Sequence, residues 1–194
     1  MKLIAISGSP RSGGNTETLL KVALDVLSER GIDTELISLA GKSILPCTAC
    51  MACRNEERCI LKDDFDPIYR DMVDSDGFIV GSPVYFGSAT PELMALLDRA
   101  GYVSRHHGHR FNRKVGGAVA VARRIGQNFT FAQLLMWFMI NGMIVPGSSY
   151  WNIAFGREKG DVLKDEEGIR TIRTFADNIA WLLKKIHQDR QEGE

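Results

Sequence analysis

Apolar residues along this chain alternate between short continuous runs and stripes at helical spacing. Residues 2–6 (Lys-Leu-Ile-Ala-Ile) form a run ending at Ser7-Gly8, the pattern of a buried parallel strand. From 16 to 30, Leu20, Ala23, Leu24 and Leu27 share one helical stripe, which Gly31 stops. Residues 33–39 predict a second strand. Asp66-Pro67 has the form of an N-cap followed by proline at the first helical position, opening a helix to about Val73. Residues 77–80 predict a third strand, and Thr90-Pro91 caps a helix with Leu93, Leu96, Leu97 and Ala100 on its apolar face. Residues 114–121 predict a fourth strand, 129–140 a helix and 143–145 (Met-Ile-Val) a short fifth strand. After an irregular stretch, Asp165 opens a last helix with Ile169, Ile172, Ala176, Ile179, Leu183 and Ile186 in register; residues 188–194 are expected to fray. Trp137 and Trp181 fall within these helices and are expected in the core, whereas Trp151 is not placed by the pattern.

Strands alternating with helices predict an α/β fold with a doubly wound parallel sheet. Its five-stranded form, with order 2-1-3-4-5, is the flavodoxin-like fold, which places a ligand beyond the carboxyl ends of strands 1 and 3. No repeat, low-complexity tract or linker interrupts the chain, so residues 1–194 are expected to form a single flavodoxin-like domain.

Composition narrows the function classes. Hydrophobic residues make up 44% of the 194 residues, which suits a domain with its own core. Lys plus Arg and Asp plus Glu both total 24, so the formal net charge is zero and nothing favours nucleic acid or an anionic membrane as partner. The densest apolar segment, 129–145, is broken by Gln133, Asn141 and Gly142, and no run of about 18 apolar residues predicts a membrane span. The N-terminus lacks the apolar core and cleavage site of a secretory signal, so the expectation is a cytoplasmic protein.

All four cysteines lie within residues 47–59, as Cys47-x2-Cys50-x2-Cys53-x5-Cys59. Thiols at this spacing can bend around one centre, as in ferredoxin-type motifs that hold an iron–sulfur cluster. Structural zinc, which more often uses two short knuckles and a long spacer, and redox-active thiols are the alternatives; disulfides would need an oxidising compartment.

Two further loops carry chemistry. Residues 7–16, Ser-Gly-Ser-Pro-Arg-Ser-Gly-Gly-Asn-Thr, join strand 1 to a helix with many hydroxyls and backbone donors, suited to a phosphate monoester at a helix N-terminus. The loop is neither a Walker A sequence nor G-x-G-x-x-G; its bland alternative is a tight turn with Asn15 as N-cap. Residues 82–88, Ser-Pro-Val-Tyr-Phe-Gly-Ser, offer Tyr85 and Phe86 to a planar ring unless both pack into the core. The loop with Arg123 and Arg124 follows strand 4 on the same rim, and the basic stretch 105–110, with three of the four histidines, is expected to be solvated. No general acid, base or nucleophile constellation is evident.

Together the 7–16 loop, the cysteine motif and residues 82–88 resemble the iron–sulfur flavoprotein family, a branch of the NADPH-dependent FMN reductase superfamily found mainly in anaerobes and archaea. The resemblance covers nearly the whole chain, including 156–161 and 165–168, and the compact cysteine motif is its specific part. It implies FMN and a [4Fe–4S] cluster held by Cys47, Cys50, Cys53 and Cys59. By position, Ser9, Arg11, Ser12, Asn15 and Thr16 would hold the FMN phosphate, and Pro83, Val84, Tyr85, Phe86 and Gly87 would line the ring. It also implies a homodimer or homotetramer in which one subunit's cluster lies near a neighbour's FMN. The loop at 123–128 departs from the family, whose members often carry a longer glycine-rich loop ending in Gly-Gly-Gln-Glu. The implied activity is a redox flavoprotein that takes single electrons from a ferredoxin-like donor and reduces a small acceptor such as a quinone, dioxygen or peroxide. An NAD(P)H-dependent FMN or quinone reductase, and an FMN protein with redox- or metal-sensing cysteines, are the alternatives.

Overall fold

The strands predicted from continuous apolar runs are buried on both faces because helices cover both sides of the sheet. In the computed structural model, which describes residues 1–192, the elements run β1 (Lys2–Ser7), α1 (Asn15–Glu29), β2 (Asp33–Ser38), α2 (Phe65–Asp74), β3 (Gly77–Pro83), α3 (Pro91–His106), β4 (Val115–Ala122), α4 (Gln127–Ile140), β5 (Ile153–Phe155) and α5 (Glu166–Glu192). All pairings are parallel and the order is β2-β1-β3-β4-β5. The alternation along β1 divides the core. Ile4 and Ile6 face the layer built by α2, α3 and α4, and Leu3 and Ala5 face α1 and α5. Near the start of β4, Gly116 and Gly117 let helices approach from both sides: a Cβ would lie 2.9 Å from Phe138 of α4 at the first, and 2.8 Å from Phe175 of α5 at the second.

Several boundaries differ from the sequence pattern. Residues 143–145 are not the fifth strand: Ile144 makes only an isolated bridge to Val115. Pro146 follows directly and has no N–H to continue the ladder. The chain leaves the sheet and returns at Ile153–Phe155, beside the carboxyl-terminal half of β4. Helix α2 starts at Phe65, so Pro67 is not its first residue. Its aspartates have other partners: Asp63 and Asp64 accept the N–H groups of Leu45 and Ser43 (both 2.7 Å), and Asp66 accepts that of Cys59 at 3.3 Å. Asp165 does cap α5, accepting the Gly168 N–H at 3.0 Å. Helix α5 stays regular to Glu192, and of the segment expected to fray, residues 193–194 lie outside the described residues. Trp137 is buried, its indole N–H donating to Leu97 O at 2.8 Å. Trp181, expected in the core, is 63% exposed, because the stripe through Ile172, Phe175, Ala176, Ile179 and Leu183 leaves it on the opposite side of α5. Among the described residues no helix is long and apolar enough to cross a membrane.

Candidate functional site

The first site is the crevice where the strand order reverses, between the ends of β1 and β3. Thr90, the N-cap of α3, locks these ends together: its hydroxyl donates to Gly8 O at 2.7 Å and its N–H donates to Ser82 Oγ at 3.0 Å. The 7–16 loop is shaped by its own side chains. Ser9 Oγ accepts the Arg11 N–H at 3.1 Å, a local turn of the kind serine favours. Glu17, buried in the first turn of α1, accepts the Gly13 N–H at 2.6 Å and the Ser38 hydroxyl at 2.5 Å. Asn15 and Thr16 begin the helix and so carry N–H groups that a helix's first turn leaves without an internal partner.

Asn15 is not the N-cap; Gly14 is. Its amide instead fastens the segment after β5, donating to Glu158 O at 2.8 Å and accepting from the N–H groups of Gly160 (2.9 Å) and Val162 (3.4 Å). Lys159 Nζ donates to Ser12 O at 3.4 Å. Residues 156–159 therefore form a wall of the crevice, which sequence periodicity does not show; a charged loop bracketed by Gly156 and Gly160 is the only local signal.

The resulting cleft has a volume of about 430 Å³. Ser9, Arg11, Asn15 and Thr16 line one side, Pro83, Val84 and Tyr85 another, and Val121, Arg123 and residues 156–159 close it. Ser12, Phe86 and Gly87 are not on its wall. Tyr85 and Ser88 exchange backbone hydrogen bonds of 2.9 and 3.0 Å across a tight turn whose centre, Phe86 (φ 51°) and Gly87 (φ 80°), is left-handed. Gln133 of α4 anchors that turn by accepting from Ser88 Oγ and the Ala89 N–H, each at 3.0 Å. Phe86 is fully exposed and Tyr85 is 42% exposed, which rules out the core-packing alternative for both. Backbone donors, hydroxyls and the cations Arg11, Arg123, Arg157 and Lys159 fit a phosphate-bearing ligand, and the flatter wall at 83–85 fits an apolar ring.

The second site is the cysteine segment, which leaves the edge strand β2 on the same rim. Ala49 (φ 53°) and Met51 (φ 60°) adopt left-handed backbone between the cysteines, and Ala49 N–H donates to Cys47 Sγ at 3.4 Å. All four cysteines are free thiols and line one cavity, with Ala49, Met51, Ile60, Leu61 and Val103 as its apolar wall. Burial pushes the Cys53 thiol up, and the neighbouring Cys59, Cys47 and Cys50 sulfurs add to the shift. Among the described residues no three His, Cys, Asp or Glu side chains converge on the position of a single ion; the sulfurs are spread over the cavity wall. A sulfur-only donor set in apolar surroundings suits a thiolate-bound cluster.

The stretch at 105–110 is exposed as expected except at His107, which is half-buried, and it also makes contacts. His107 Nε2 hydrogen-bonds Cys53 O at 2.7 Å, and Arg110 pairs with Glu57 at 3.0 Å, so it backs the cysteine segment. Arg99 of α3 also reaches the sulfur cavity, a residue the sequence pattern assigns only to a helix. The two sites share no lining residue.

A flavodoxin-like α/β protein with a cationic, hydroxyl-rich crevice at its switch point and a four-thiol cavity at its sheet edge belongs to a small set of redox architectures. Residues 1–158 match the NADPH-dependent FMN reductase family. An iron–sulfur flavoprotein of Methanocaldococcus jannaschii is 42% identical over 193 residues, covering 96% of this chain and 99% of the relative. One of Methanosarcina thermophila is 36% identical over 196 residues, covering 99% and 100%. The chain belongs to the NADPH-dependent FMN reductase family, in its iron–sulfur flavoprotein branch, and is an oxidoreductase. Among solved structures, RosB with bound 8-demethyl-8-formylriboflavin-5′-phosphate aligns with a TM-score of 0.76 at 17% identity, covering 97% of this chain and 81% of that one, a likeness of fold.

Proposed function

We propose that residues 1–194 act as one redox unit that binds FMN in the switch-point crevice and an iron–sulfur cluster of the [4Fe–4S] type on Cys47, Cys50, Cys53 and Cys59. The observation that carries this is the lining of one cavity by all four thiols, on the rim that also bears the phosphate-type crevice. Bound FMN supplies one- and two-electron chemistry, and a cluster supplies single-electron transfer. The chain's own residues bind and orient. Arg11, Ser9 and the first turn of α1 receive a phosphate, assisted by Lys159 and Arg157. Pro83, Val84 and Tyr85 hold one side of a ring, and Arg123 stands at its margin. Asn15, assigned to the phosphate by family resemblance, acts by fixing the 156–162 loop. Ser12 contributes its carbonyl to Lys159, and Phe86 and Gly87 shape the turn that presents Tyr85. Nothing in the crevice calls for a general acid or base.

In this reading single electrons from a ferredoxin-like donor enter at the cysteine segment, and a small acceptor such as a quinone, dioxygen or peroxide is reduced at the crevice. A homo-oligomer would bring one copy's cysteine segment to another's crevice, since the two sites share no wall within one chain. Iron, acid-labile sulfide, zinc and FMN measured after anaerobic purification test the assignment: iron and sulfide with FMN are expected, and zinc without sulfide overturns the cluster. A second reading, direct reduction by NAD(P)H, is favoured by the crevice holding Arg11, Arg123, Arg157 and Lys159, more cations than one phosphate monoester needs. Rapid flavin bleaching by NAD(P)H alone would establish it over the ferredoxin-like donor.

A further inference from the structure

Arg99 sits midway along α3 and is among the largest side chains the fold buries completely. Its guanidinium ties together the two stems of the cysteine segment. Nη1 donates to Leu45 O at 3.1 Å on the incoming stem and to Asp63 Oδ2 at 2.5 Å on the outgoing one, while Nη2 donates to Asp63 Oδ1 at 3.0 Å. Asp63 Oδ2 in turn accepts the Leu45 N–H at 2.7 Å, closing the base of the loop. The guanidinium carbon lies 4.1 Å over the Phe65 ring, which fixes its plane.

This pair is 1% exposed on both sides, and an ion pair so placed gives up much solvation for each charge. One donor is left over. Arg99 Nε is buried and has no hydrogen-bond partner, a condition that is costly in a folded protein. Arg99 also lines the cavity that Cys47, Cys50, Cys53 and Cys59 surround. The four cysteine sulfurs are the acceptors on that wall, and they would be thiolates when a cluster is bound.

We infer that Arg99 is a positioning residue of the sulfur site, clamping Leu45 to Asp63 so that the four cysteines face one volume, and directing its unpartnered Nε–H at the thiolate sulfur of a bound cluster. The inference rests on the cluster reading and adds to it a residue outside the cysteine motif. A donor to a cluster sulfur stabilises the reduced, more negative state, so it raises the reduction potential. Such a partner also slows release of the metal.

The test uses the anaerobically purified full chain in three forms: wild type, Arg99→Lys, and the double variant Arg99→Met/Asp63→Leu, which removes both buried charges together. FMN content and a cooperative melt establish folding, and whichever variant retains both is compared with wild type. Arg99→Lys keeps the charge and lacks the planar fork; it is expected to release iron to bathophenanthroline about 10–100-fold faster than wild type. Its cluster potential, from an EPR-monitored titration, is expected to fall. The double variant should lose iron as fast. Iron release within twofold of wild type together with an unchanged potential would overturn the role of Arg99 while leaving the cluster reading intact. A wild-type protein that holds FMN but no acid-labile sulfide would instead overturn the cluster reading, and the role of Arg99 with it.

Discussion

Asn15 holds three backbone groups of a loop more than 140 positions away in the chain, which makes it a test of how the crevice is built. Asn15→Ala removes these exposed and part-buried bonds, and a cost of about 0.5–1.5 kcal/mol is expected in urea unfolding. FMN titration by fluorescence quenching should show weaker binding, because the wall bearing Lys159 is released. Asp63 makes a second prediction, of pH dependence. Burial alone would raise its pKa, but the Arg99 guanidinium and the Leu45 and Phe65 N–H groups bring it below the ordinary 3.8. Its stabilising effect is therefore present above that value and lost as pH falls through the lower, folded one. Asp63→Asn should cost about 3–5 kcal/mol at neutral pH by stranding a buried arginine. The gap to wild type, followed by urea unfolding, should narrow below pH 3.8 as the wild-type carboxylate itself becomes neutral. Phe86 is a non-glycine residue at φ 51°, fully exposed at the tip of its turn. Strain of this kind, of order 1–3 kcal/mol, persists where function needs it. Phe86→Asn should match or exceed wild-type thermal stability, since asparagine tolerates that conformation, while the rate of acceptor reduction falls.

At the scale of elements, the relocation of β5 decides what the crevice contains. Pro146 ends the bridge at Ile144, and the return of the chain at Ile153–Phe155 delivers residues 156–162 to the end of α1. Gly156 lies so close to Asn15 that a Cβ would meet its Nδ2 at 2.6 Å and Val162 N at 2.9 Å. Gly156→Ala should destabilise the protein by about 1–3 kcal/mol through overpacking, read as a lower melting temperature, and weaken FMN retention on gel filtration. Helix α4 is apolar on nearly every side, with Phe129, Met136, Met139 and Ile140 exposed. A helix of that character is normally covered. Met139→Glu is expected to lower the oligomeric mass seen by sedimentation while leaving the isolated fold intact; an unchanged mass would place any self-association elsewhere.

Across the whole molecule the two sites occupy one rim but draw on different elements, the crevice on β1, β3 and β4 and the thiol cavity on the segment after β2 with α3. Cys50→Ala is accordingly expected to abolish iron and sulfide binding yet keep stoichiometric FMN. Loss of both together, measured on one preparation, would mean that the sites are not separable.

The sequence by itself determined the parallel α/β class, its order and four of its five strands, because runs such as 2–6 read as strands covered on both faces, with glycine and proline punctuating them; the fifth strand, expected at 143–145, lies at Ile153–Phe155. It also determined both site loops and the cysteine motif, since their residue types lie close together in the chain. What only the tertiary structure decided joins residues far apart. Asn15 turns from a local cap into an anchor because Gly156 brings a distant backbone against it. Arg99 becomes part of the sulfur site because α3 packs beneath Leu45 and Asp63. His107 becomes half-buried because the cysteine segment folds against it, while Arg110 stays exposed and pairs with Glu57 of that segment; Trp181 stays in solvent because α5 turns another stripe inward. Periodicity reports which side of an element is apolar; which partner that side meets, and which polar atom is stranded there, is set by the packing of elements that sequence spacing does not relate.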